Sequence, residues 1–110
     1  MDERARRVGE NEALFRAVNE QVSQLSEQFE SVEEPMSAIC ECGRLDCNDR
    51  LEVTTSAYER VRDDGALFLI KPGHVAEDVE SVVRREDTYW VIRKHAGEPA
   101  ALARDTDPRS

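Results

Sequence analysis

Cys40-Glu41-Cys42-Gly43-Arg44-Leu45-Asp46-Cys47 holds all three cysteines of the chain in one short stretch. Thiolates and imidazoles are the ligands zinc prefers, and a structural site takes four in a tetrahedron. Three donors sit here, so the fourth must come from elsewhere. His74, in Pro72-Gly73-His74, is the first candidate: it follows the apolar run Ala66-Leu67-Phe68-Leu69-Ile70, whose burial would fix the turn in place. His95 is the second candidate, and Asp46 a local carboxylate alternative. The C-x-C-x4-C spacing is less specific than two paired C-x-x-C knuckles, and the competing reading is three buried or free thiols. An odd cysteine count with a histidine downstream favours metal. An iron–sulfur cluster more often has four cysteines, and Cu(I) could use the Cys40/Cys42 pair. Zinc, which needs no redox partner, is the expected cofactor.

The flanking residues read as the arms of a hairpin. Ser37 to Cys42 predicts a strand leading into the cysteine turn, and Leu51 to Thr55 alternates apolar and polar as its partner. Gly43 to Arg50 contains the Gly, Asp and Asn that turns favour. Ser56-Ala57-Tyr58-Glu59 has capping-box spacing and predicts a short helix to about Asp63, with Tyr58 and Val61 on one face. The run from Ala66 to Ile70 has the length of a buried strand. Val79 to Arg85 and Thr88 to His95, parted by Glu86-Asp87, predict a second hairpin with Val79, Val83, Trp90 and Ile92 inward. From Glu98 to Arg104 a helical turn or two is expected, with Pro99 at a tolerated first-turn position. Asp105 to Ser110 reads as a loose tail.

Upstream, Phe15, Val18, Val22, Leu25, Phe29 and Val32 recur at alternating three- and four-residue steps, the spacing of a helical seam. The pattern predicts an amphipathic helix over residues 10–34, capped by Asn11, widened at its start by Leu14, and ended by Glu33-Glu34-Pro35. The favoured reading packs this seam on the chain's own sheet. The sharper one makes it a surface for a protein partner or a homodimer.

The chain has 110 residues and a formal charge of −9, from 15 basic and 24 acidic side chains, which disfavours a protein that neutralises phosphates or binds an anionic membrane. Nucleic acid and membrane are therefore not expected partners. No apolar run approaches a membrane span. The basic residues after Met1 lead into no apolar segment, so no signal peptide is read there, and a cytoplasmic location is expected. The Arg-rich basic complement (only Lys71 and Lys94 are Lys) is read as codon bias. The deaminase, H-E-x-x-H, P-loop and dinucleotide-fingerprint patterns are absent. Glu41 and Asp46 are close enough in sequence to serve as a base at the cysteines, but a thiolate-rich shell lowers the Lewis acidity of zinc. Enzyme is the minority reading. Arg84-Arg85 reads as a solvated hairpin end, and Trp90, beside Tyr89, as core.

Four segments, Asn11 to Arg16, Cys40 to Cys47, Phe68 to His74 and Thr106 to Arg109, together resemble a group of small bacterial proteins with a C-x-C-x4-C turn and a downstream Pro-Gly-His motif. The resemblance implies His74 as companion of the cysteines and implies no activity. The expectation is an α+β fold: a flexible stretch over 1–9, the helix over 10–34, a zinc-stapled domain over 35–104 made of two β-hairpins with a short helix between, and the tail over 105–110. Its ligands would be Cys40, Cys42, Cys47 and His74. Its function would be that of a small cytoplasmic interaction or regulatory module with structural zinc. A thiol-based redox or metal sensor is the alternative, and a metal-dependent hydrolase the least favoured.

Overall fold

Asp2 accepts a hydrogen bond from the Ala5 N–H at 2.7 Å and so caps helix α1, Glu3–Phe29. The computed structural model describes residues 1–29 and 35–109. The helix starts at Glu3 because its first turns are Glu, Arg and Ala, strong helix formers with no apolar periodicity of their own. The expected flexible stretch over 1–9 is therefore corrected to helix. Asn11, expected as the cap, lies inside α1 and donates to the Gly43 carbonyl at 3.0 Å. Val32 and the helix stop at Glu33-Glu34 fall outside the described residues.

Two antiparallel sheets follow. Strands β1, Pro35–Ile39, and β2, Arg50–Thr54, form the predicted hairpin, with Met36 opposite Val53 and Ala38 opposite Leu51, all buried. Helix α2, Thr55–Arg62, is capped by Thr54, whose hydroxyl accepts from Ala57 N–H, and not by the expected Ser56 box. Strands β3, Leu67–Ile70, β4, Glu80–Arg85, and β5, Trp90–Lys94, form a second sheet in the order β3-β5-β4. Val83 was expected inside. It is 52% exposed because a register irregularity between Val82 and Arg84 turns it outward. Helix α3, Glu98–Asp105, closes the chain. The expected loose tail is corrected as far as Arg109, which holds Glu59 at 2.7 Å and Glu20 at 3.1 Å.

The core lies between the two sheets and α2, around Tyr58, Phe68, Leu69, Ile70 and Ile92. Each such side chain contributes about 1.5–3 kcal/mol on burial. α1 packs against this core with its polar face. Glu12, Arg16, Asn19, Glu20 and Ser23 are buried, whereas Leu14, Val18 and Leu25 are 56%, 41% and 59% exposed. The expectation that the apolar seam covers the sheet is thus corrected at Val18 and Leu25, which face outward with Leu14, while Phe15 is half-buried and Val22 packs on the core as a half-buried neighbour.

The inversion is possible because each buried polar side chain meets a specific partner. Arg16 donates to the carbonyls of Gly65 at 2.7 Å and Ala103 at 2.8 Å, and its guanidinium lies over the Phe68 ring. Glu20 accepts from the Tyr58 hydroxyl at 3.0 Å, and Ser23 donates to Glu59 at 3.2 Å. Lys94 reaches Glu12 at 2.7 Å and Glu80 at 3.0 Å, with all three side chains buried.

Candidate metal centre

β1 ends at Ile39, and the next residues enter the cysteine turn. The Cys40 N–H donates to the Asp49 carbonyl at 2.9 Å and the Cys47 N–H to the Arg44 carbonyl at 3.0 Å, which folds the loop back on itself. Gly43 sits at φ +80, a conformation L side chains rarely adopt, and a Cβ there would lie 2.8 Å from the Val8 carbonyl oxygen. Glycine therefore lets the loop both turn and approach α1. On the opposite side, Gly73 at φ +91 and a His74 N–H to Lys71 carbonyl bond at 3.0 Å form the turn that aims the imidazole at the cysteines.

One donor atom from each of Cys40, Cys42, Cys47 and His74 lies within 4.8 Å of the others. His74 Nδ1 is 3.7 Å from both Cys40 Sγ and Cys47 Sγ. A zinc tetrahedron with Zn–S of about 2.3 Å and Zn–N of about 2.0 Å has an S–N edge of about 3.5 Å. The cluster is therefore at ligand spacing with little movement needed. Cys40 and Cys42 are buried within the apolar core, while Cys47 and His74 are half-buried and form its outer side.

The two alternative fourth ligands are elsewhere. His95 bonds the Ser81 hydroxyl at 2.9 Å on the second sheet. Asp46 is 79% exposed and faces Arg44 at 3.6 Å. Glu41 does not point at the cysteines either. It is fully buried and accepts from Arg62 at 2.9 Å, Asn19 at 2.6 Å and the Leu69 N–H at 2.9 Å. Glu41 thus anchors the loop to α1, α2 and β3 at once, and it is committed to that task instead of serving as a base.

The structure adds surroundings that sequence spacing did not single out. The Lys71 N–H donates to Cys40 Sγ at 3.1 Å, an arrangement that stabilises thiolate charge. Asp49 places Oδ2 3.7 Å from Cys47 Sγ and 3.9 Å from His74 Nε2, on the ring edge away from the donors. Asn19 holds the strand that delivers Cys40: it donates to the Ile39 carbonyl at 2.9 Å and accepts from the Ile39 N–H at 2.8 Å. The turn residues between Gly43 and Arg50 are visible in the sequence, but only the folded loop shows that Asp49 faces His74.

Proton affinities within the cluster are split. A hydrogen bond from Cys40 draws the Cys42 thiol down to about 5 against the opposing effect of burial, with further help from the Arg44 N–H and His74. The same bond, followed by burial, drives Cys40 far up. Burial raises Cys47 as well. One thiolate beside two thiols is an arrangement from which a metal ion must displace protons as it binds.

Comparison with known proteins adds no relative: no family model matches the chain, and neither a curated protein nor a solved structure matches it. Function must be read from the side chains.

Proposed function

We propose that this chain is a small zinc-binding interaction or regulatory module in which the metal is structural. One observation carries the reading: three thiols and one imidazole converge at ligand spacing, with the local buried carboxylate, Glu41, tied to Arg62. Four protein ligands fill the tetrahedron of zinc and leave no position for a substrate water, which supports a structural role over a hydrolytic one. Reduced thiols of this kind suit a cytoplasmic setting. Metal analysis of protein purified under reducing conditions tests the reading, with wild type beside Cys42→Ser and His74→Ala. One zinc per chain is expected in the wild type, none in Cys42→Ser and weakened retention in His74→Ala. A metal-free wild type would overturn it.

A thiol-based sensor is the second reading, and the half-buried position of Cys47 and His74 on the outer side of the cluster favours it. Peroxide would take two electrons from two thiolates, giving a disulfide and water and releasing the metal. Zinc release at low peroxide, reversed by a thiol reductant, is the expected signature. Retention of zinc under strong oxidant would exclude this reading.

A further inference from the structure

We infer that Asp49 is the positioning residue of the metal centre: its carboxylate accepts the Nε2–H of His74 and so turns Nδ1 of the ring towards the ion. The inference rests on the metal reading and adds to it the residue that sets how firmly the outer side of the site holds.

The need for such a residue follows from the ring itself. His74 Nδ1 is 3.7 Å from both Cys40 Sγ and Cys47 Sγ, so Nδ1 is the nitrogen that faces the other donors. A neutral imidazole carries one proton. When one nitrogen gives its lone pair to a metal, the other keeps the N–H and needs an acceptor. The backbone fixes where His74 starts, through its N–H bond to the Lys71 carbonyl at 3.0 Å, but not how the ring is rotated. The turn is not walled in either, since a Cβ at Gly73 would meet nothing within 4 Å.

Asp49 is placed to be the acceptor. Its Oδ2 lies 3.9 Å from Nε2, and a side-chain rotation of about 1 Å brings that to hydrogen-bond length. Its backbone carbonyl accepts the Cys40 N–H at 2.9 Å, which pins the residue where the cysteine loop runs into β2. Lys71 Nζ, 3.6 Å from the same carboxylate, offsets the negative charge that Asp49 brings close to the thiols. The other two carboxylates weighed at the cysteines are committed elsewhere: Glu41 to Arg62 at 2.9 Å and Asp46 to Arg44 at 3.6 Å. A carboxylate behind a metal-binding imidazole fixes the ring and raises its basicity.

The test measures the zinc affinity of the full chain by competition with a chelator. Asp49→Ala should weaken binding about 10–100-fold. Asp49→Asn, whose amide oxygen still accepts the N–H, should recover part of that loss. The bond to Cys40 uses the Asp49 backbone and survives both changes, so circular dichroism should stay at the wild-type signal. The deciding arm replaces the ring. In His74→Cys the fourth ligand has no N–H to donate, so adding Asp49→Ala should cost nothing further, whereas a general structural role would cost the same in both backgrounds. NMR of the imidazole nitrogens in the zinc-loaded chain should show Nδ1 bound. Its Nε2–H should exchange slowly in the wild type and in Asp49→Asn, and be lost to solvent exchange in Asp49→Ala.

Equal losses in the two backgrounds, wild-type affinity in Asp49→Ala, or coordination through Nε2 would each overturn the assignment. A wild type that takes up no zinc removes the metal reading and this inference together. A wild type that takes up zinc and is indifferent to Asp49→Ala removes this inference alone.

Discussion

α1 lies beside two clusters of ionisable groups, one half-buried and one fully buried, that solve the same problem in opposite ways. At one, Cys40, Cys42, Cys47 and His74 bring four donors together around a point where the chain supplies no cation. At the other, Glu12 and Glu80 enclose their own cation, the Lys94 ammonium, at 2.7 and 3.0 Å. The first could hold an ion taken from solution. The second is complete but sensitive to protons: burial, then the facing Glu80, holds Glu12 well above the usual carboxylate range. Burial pulls Lys94 down, yet the two carboxylates more than offset it and leave its pKa raised. On the proposed metal reading, stability at one end answers to metal and at the other to pH.

The largest effect expected from breaking this contrast is metal removal. Structural zinc contributes about 10–16 kcal/mol in peptides that have no other core. Here a buried cluster around Phe68 and Ile92 supplies stability of its own, so a smaller loss of about 5 kcal/mol is expected. Hydrogen exchange after chelation should quicken at Cys40 and Cys47 and change little at Ile92; uniform loosening would mean that the two ends are one unit. Next in size, Lys94→Met should cost about 3–5 kcal/mol in guanidinium unfolding, because it leaves two carboxyls buried without their cation. Its zinc content should stay at the wild-type level.

Asn19→Ala touches the metal end from the helix side. It strips partners from Ile39 and Glu41 and should cost about 1–3 kcal/mol while lowering zinc affinity.

The smallest effect is a slope. Glu12 binds its proton more tightly folded than unfolded, so its contribution is full below the ordinary carboxylate range and is lost as pH rises through its elevated folded value. Wild-type stability should therefore decline from mildly acidic towards alkaline pH by no more than about 1.4 kcal/mol per pH unit. Glu12→Gln should flatten that slope, as read by denaturant unfolding at a series of pH values.

The cysteine end was legible because most of its information is local. Three cysteines in one stretch announce their chemistry whatever surrounds them, and the Pro72-Gly73 turn marks His74. The strands and short helices followed from alternation and turn residues. The orientation of α1 was not legible, because periodicity reveals that a helix has an apolar side but not that this side faces the core. What decides the matter here is a set of partners far away in sequence. Arg16 meets Ala103, Glu12 meets Lys94, and Glu20 meets Arg109. No spacing rule pairs residues so distant, and without those partners a buried Arg or Glu would be prohibitively unfavourable. The Val83 error has the same root on a smaller scale, since a strand irregularity is set by its neighbour's register.

Gly43 joins the two ends. A methyl group added there would press on the Val8 carbonyl at 2.8 Å and on the Glu12 side chain at 3.0 Å. The cysteine loop and the helix residue that grips Lys94 meet at this one missing side chain. Position 43 therefore works as a tolerance in a mechanical joint: its emptiness sets how closely the loop can seat, and any substituent becomes a wedge felt by both the thiol and the carboxyl clusters.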